Sequence, residues 1–134
     1  MKLSDLRTIK NLLNDYREAW EQVAVDEVDF EVDSYRFIHK DNIDAIMCEE
    51  LESDEYVLGC FNAGFIAEHT DIPLAMIEAC QKSDAFQAIG EAILNGGHIS
   101  DIQEAYASAD GYGHHFNHWD GSEEMIGDYY VFRT

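Results

Sequence analysis

Positive charge is what this sequence has least of. Eight Lys and Arg stand against 28 Asp and Glu in 134 residues, a formal charge of −20 at pH 7. A surface of that sign repels nucleic acid and attracts basic partners, so no direct nucleic-acid binding is expected. Cysteine is also scarce: Cys48, Cys60 and Cys80 are an odd number with no short metal-type spacing. No disulfide framework is in view, and reduced thiols in a cytosol are expected. No apolar run approaches the roughly 18 residues of a membrane span. The start, MKLSDLRTIKNLL, has neither the long apolar stretch nor the small-residue cleavage site of a signal peptide. A cytoplasmic protein with no membrane partner is the expectation. Gly96-Gly97 and Gly111-x-Gly113 are too short and wrongly placed for a phosphate or dinucleotide loop.

Apolar material, by contrast, is ample. Hydrophobic residues form 46% of the chain, with seven Phe, seven Tyr and two Trp, whereas acidic disordered tails have few aromatics. The sequence therefore reads as a single acidic α+β domain over 1–134, long enough to bury a core. Ser4 is positioned to cap a helix running to about Gln22, with Leu6, Ile9, Leu13, Tyr16 and Trp20 on one stripe. Lys2, Arg7, Lys10 and Arg17, half the cations, lie in this segment. From Val28 the period becomes two: Val28, Phe30 and Val32 alternate with Asp29, Glu31 and Asp33. A strand here places three carboxylates on one face, and the parity of Tyr35 and Phe37 predicts a bulge or break near Asp33-Ser34.

About five short helices are expected next. Asp41 caps 42–52, where Ile43, Ile46, Met47 and Leu51 face inward. The segment from Glu55 to about His69 is apolar nearly all round and is expected as the central core helix. Asp71-x-Pro73 opens a helix to about Lys82. Ser83 caps one that Asn95-Gly96-Gly97 ends, and Ser100-x-x-Gln103 reads as the capping box of one through about Ser108. Finally, YGHHFNHW and IGDYYVFR flank Asp120-Gly121-Ser122 as a hairpin. With the single strand near 28–39 they are expected to form a small, three-stranded antiparallel sheet, giving an α+β plan.

Catalytic constellations are weak. DGYGHHFNHWDG gathers His114, His115, His118, Asp110 and Asp120, the residue types of a metal centre. As a strand it sets His114 and His118 about 13–14 Å apart, too far for one ion, whereas a helix would bring them one turn apart. Gly111 and Gly113 disfavour the helix, so aromatic-flanked histidines on a hairpin are expected. Adjacent acid pairs such as Glu49-Glu50 and Glu123-Glu124 have no nucleophile beside them, and in so acidic a chain they arise by chance. Cys60 and Cys80 fall at helical core positions and read as buried structural thiols. No enzyme activity and no cofactor are expected.

The acid itself remains. Between Asp41 and Phe132 lie 19 carboxylates and one Lys or Arg, Lys82. Duplex DNA carries a charge per roughly 1.7 Å of axis, so twenty charges match roughly one helical turn. In style the run VDEVDFEVDSYRFIHKDNID, leading into ELESDEYVLGCFNAGFIA and further acidic helices, resembles the ArdA-type antirestriction proteins over about residues 26–110. More loosely it resembles other phage and mobile-element anti-defence proteins that mimic DNA. SADGYGHHFNHWDG followed by GDYYVFR likewise looks like a phage-borne protein signature. The resemblance implies an intracellular, dimeric protein without catalytic residues that occupies the DNA-binding groove of a type I restriction–modification enzyme. This chain is shorter than a three-part ArdA protein, and a homodimer would restore the length of the charged surface.

The expected partner is thus a basic DNA-binding protein of a bacterial defence system, of restriction–modification or CRISPR type. The expected contacts are Asp29, Glu31 and Asp33 on the strand, with Asp41, Asp44, Glu49, Glu52, Asp54 and Glu55 around the second helix. Two alternatives share parts of this pattern. One is a metal-dependent enzyme using His114, His115 and His118; the other is an acidic regulator of a basic protein that does not mimic DNA.

Overall fold

A computed structural model of the chain describes residues 28–32 and 34–134. The helix predicted over 4–22 and the carboxylate of Asp33 lie outside the described residues. Within them the fold is α+β, with a four-stranded antiparallel sheet and seven helices. The described residues group into two compact units: those up to Ile43 with Asp110–Thr134, and Asp44–Ala109.

The first unit is built on the sheet. Alternation at 28–32 makes β1 (Asp29–Val32), which buries Phe30 and exposes Asp29 and Glu31. The single strand expected over 28–39 is instead two, which raises the sheet from three strands to four, because β2 (Tyr35–His39) runs back with Val32 opposite Tyr35 and Phe30 opposite Phe37. The change of parity in the sequence is this turn. A second hairpin joins β3 (Glu124–Ile126) to β4 (Tyr129–Arg133). Its two-residue connection opens on Gly127, at φ 58°, where a side chain would be strained. The strand order is β1-β2-β4-β3, so the two hairpins join through β2 and β4. Phe37 and Ile38 are successive residues of β2 and both are fully buried, so this strand packs on both faces.

The hairpin predicted across Asp120-Gly121-Ser122 is corrected. Tyr112–Phe116 is a helix, which we number α7, and the chain turn lies fifteen residues beyond Tyr112, at Gly127-Asp128. Three features favour helix over strand here. Gly111 adopts φ 81° before it, and the Glu123 carboxylate accepts the backbone N–H groups of Tyr112 (2.7 Å) and Gly113 (3.1 Å). Tyr112 and Phe116, four residues apart, lay their rings against Tyr130 (5.0 Å) and Phe132 (5.2 Å) of β4. Gly113 is required because a Cβ there would strike the carbonyls of Gly121 and Ser122.

The second unit is helical, with α1 (Ile43–Glu52), α2 (Glu55–Gly59), α3 (Ala63–Glu68), α4 (Leu74–Lys82), α5 (Phe86–Asn95) and α6 (Ile99–Asp110). Its core contains Met47, Leu51, Leu58, Ile66, Ile77, Ile89, Ile93 and Ile102, each contributing about 1.5–3 kcal/mol by burial. The single core helix expected over 55–69 is instead two helices. Asp54 caps α2 by accepting Val57 N–H, and Asn62 caps α3 by accepting Phe65 N–H, so the chain restarts at Asn62. The Gln81 side-chain amide holds the break by donating to the carbonyls of Gly59 (3.0 Å) and Phe61 (2.8 Å).

The closest helix pair in this unit is α2 against α5, crossing at two reciprocal glycines. A Cβ on Gly59 would collide with the Phe86 backbone, and one on Gly90 with the Glu55 backbone. Each glycine stands four residues after the start of its helix, so the two backbones meet in antiparallel sense. Two predicted caps also move. Ser83 ends α4 rather than starting α5, whose N-cap is Ala85 after Asp84 at φ 59°. Because α6 already begins at Ile99, Ser100 lies inside its first turn and Gln103 turns inward, so the predicted capping box does not form.

Candidate functional site

Charge divides unevenly between the two units. Residues 44–109 carry thirteen carboxylates and Lys82 alone among Lys and Arg, a formal charge of −12 on 66 residues. Pairing within the unit therefore cannot neutralise it. In the sheet unit the described cations are engaged locally. Arg36 holds Asp29 with two hydrogen bonds, 2.9 and 2.7 Å, and Lys40 Nζ lies 3.2 Å from Asp128. The Arg133 guanidinium lies 3.7 Å over the Trp119 ring.

The predicted partner-binding residues fall on both units. Asp29, Glu31 and Asp41 belong to the sheet unit, where Asp29 is neutralised across the strand pair by Arg36. Glu31 is exposed on β1, and Asp41 is exposed with a carboxylate oxygen 3.7 Å from His39 Nδ1. The helical unit carries Asp44, Glu49, Glu52, Asp54 and Glu55. Glu49 and Glu52 are exposed on α1. Asp54 and Glu55 form the start of α2, and Glu55 accepts a hydrogen bond from Gln87 at 3.3 Å.

Asp44 has a structural partner. Its Oδ1 accepts 2.8 Å from Nε2 of buried Gln103, and Gln103 Oε1 lies 3.6 Å from the Cys48 sulfur. This linkage ties α1 to α6 and satisfies an amide that would be costly to bury unpaired. Burial first, and then the negative charges of Glu52, Asp44 and Glu104, push the Cys48 thiol up and keep it protonated. Cys60, expected in the core, is exposed where α2 ends.

A second acidic feature was not anticipated. Along α3, the loop after it and α6 runs a cleft of about 970 Å³, lined by Glu68, Asp71, Asp101, Glu104, His69 and His98 with Phe65. His98 Nε2 stands 3.8 Å from Asp71, and the Phe65 and His69 rings are 4.9 Å apart. The signal in the sequence was the polar spacing His98, Asp101, Glu104/Ala105, Ser108, one face of a helix. The negative lining of such a cleft favours cations.

The histidine-rich segment is not brought together as a metal centre. His114 and His115 lie on α7, while His118 follows its end and donates its backbone N–H to Arg133. Asp120 belongs to a hydrogen-bonded turn, and Asp110 ends α6. Among the described residues no group of three His, Cys, Asp or Glu side chains is arranged to hold a metal ion. The segment instead builds a fixed loop. Buried Asn117 accepts the N–H groups of Trp119 and Asp120, both at 3.0 Å, and donates to Ser122. The Ser122 backbone N–H, followed by its hydroxyl, holds the Asp120 carboxyl below its ordinary range.

Comparison with family models, with curated proteins and with solved structures finds no match. Among the described residues no helix is long and apolar enough to cross a membrane.

Proposed function

We propose that this protein is an acidic inhibitor that occupies the DNA-binding groove of a bacterial defence protein, of restriction–modification or CRISPR type. One observation carries the reading: the helical unit carries thirteen carboxylates against one lysine, ten of them on its short helices. A helix holds its carboxylates at set spacings, as a phosphate surrogate must, and a groove built to neutralise phosphates supplies the missing cations. Association is then steered by charge and weakened by salt. The protein acts in the cytoplasm, as a homodimer that lengthens the charged surface, and it needs no cofactor.

The test is competition for DNA. A labelled duplex is bound to a purified type I restriction–modification complex and, separately, to a DNA-binding CRISPR effector, and this protein is titrated in. Displacement from at least one is expected. The combined variant Glu49→Gln, Glu52→Gln, Asp54→Asn and Glu55→Gln should weaken displacement about thirtyfold or more, since four pairs of about 0.5–1 kcal/mol are lost together. Its circular dichroism should match the parent. A variant that competes as well as the parent, or a parent that displaces DNA from neither complex, sinks the reading. Binding without displacement would identify a regulator that does not mimic DNA.

A further inference from the structure

Taking the proposed function as its basis, we infer that the contact with the defence protein is anchored by Tyr56 and Val57, an apolar pair set among the carboxylates. The partner this fits is a protein surface whose lysines and arginines surround an apolar socket. Sequence periodicity assigns 55–69 to the core, yet Tyr56 is 56% and Val57 43% exposed. Their neighbours in the chain, Glu52, Asp54 and Glu55, are three of the carboxylates that define the acidic surface. An apolar centre with a charged rim is the anatomy of a protein interface. Charge alone would suit any polycation, whereas an exposed aromatic gives one protein preference over another.

The anchor is also held in place. The Tyr56 ring meets the Phe86 ring edge-on at 5.4 Å, and the helix beneath is fixed by the Asp54 cap and by the Gly59–Gly90 crossing. The contact with Phe86 restrains the Tyr56 ring before binding, which favours affinity. A rigid tyrosine with one polar end suits a surface that is wet in the free protein and covered in the complex. Leu58 and Gly59, the next residues of α2, point the other way and are buried, so the exposed pair belongs to the outer side of a packed helix.

Competition against the same two complexes tests this, comparing Tyr56→Ala and Val57→Gln with the parent across a salt series. Each variant should lose about tenfold or more in displacement. The slope of log affinity against log salt should stay as in the parent, because no charge is removed. The four-carboxylate variant should instead flatten that slope. Tyr56→Phe should retain most of the affinity. Backbone amides of 55–59 should gain protection from hydrogen exchange in the complex, a readout available even where a variant folds poorly. Full affinity in both variants, or no added protection over 55–59, overturns the anchor while leaving the charge-based function standing. A parent that displaces DNA from neither complex removes both. If light scattering finds a dimer that Tyr56→Ala converts to a monomer, the face belongs to a second copy of the chain and the inference is wrong.

Discussion

Asn62, Gln103 and Asn117 decide more of this structure than their polarity suggests. Each is a side-chain amide that settles a local backbone question: where α3 begins, how α6 meets α1, and how the 117–122 loop holds its shape. The sequence reading found none of these: an Asn before Ala-Gly-Phe can cap, but the apolar run around Asn62 masked the signal. Gln103 looked like half of a capping box because Ser100 stands three residues before it, and only the earlier start of α6 turned it inward. Its neighbour Cys48 gives a prediction at this scale. A thiol kept protonated by burial and by three nearby carboxylates alkylates slowly. With iodoacetamide near neutral pH, peptide mapping should find exposed Cys60 modified well ahead of Cys48, the gap closing as pH rises above the ordinary thiol range. The sign for stability is the same: a raised folded-state value contributes below the unfolded-state value and is lost as pH climbs through the folded one. Equal rates at neutral pH would contradict the burial of Cys48.

Between elements, the α2–α5 crossing is the tightest joint of the helical unit, and glycine permits it. Because a Cβ at either position meets backbone rather than a flexible side chain, no rotamer change relieves the clash. Gly59→Ala and Gly90→Ala should each cost about 2–3 kcal/mol or more in urea unfolding. Gly97→Ala supplies the contrast. Its site is open but at φ 74°, so the cost should be about 1–2 kcal/mol from backbone strain alone. If Gly59→Ala costs no more than Gly97→Ala, the crossing is looser than described. The strands were more legible than this joint. The alternation at 28–32 located β1, and the parity change marked where it ends, because both signals are local; that the chain reverses there into a second strand depends on pairing across the hairpin. The turn between β3 and β4 was misplaced because Asp120-Gly121-Ser122 carries the same turn chemistry, and Asn117 uses it for a loop instead.

Across the whole chain, the excess of carboxylates sets stability against salt. Self-repulsion within a unit of −12 is long-ranged at low ionic strength, where the screening length is about 30 Å at 0.01 M, and is nearly gone at 1 M, where it is about 3 Å. Raising NaCl from about 0.01 to about 1 M should raise Tm by on the order of 5 °C. Binding to a cationic partner should fall over the same range. Opposite salt responses for folding and for binding are the mark of a surface whose charges repel one another until a partner neutralises them. A Tm that falls with added NaCl would mean that attractive pairs dominate, as Arg36–Asp29 does in the sheet unit.

Composition and local period alone determined that the chain is acidic, that it folds as α+β, and that 28–32 alternates. These follow from each residue and its immediate neighbours. Which carboxylates find a partner within the fold was decided by tertiary structure. Asp29 loses its freedom to Arg36, seven residues away across a hairpin, and Asp44 is bonded by Gln103, fifty-nine residues on. Tertiary structure likewise brought the Tyr56–Val57 side of α2 to solvent, because Gly59 and Gly90 fix which side of that helix meets α5. Contacts closed over such separations depend on how the chain returns to itself, which no window along the sequence contains.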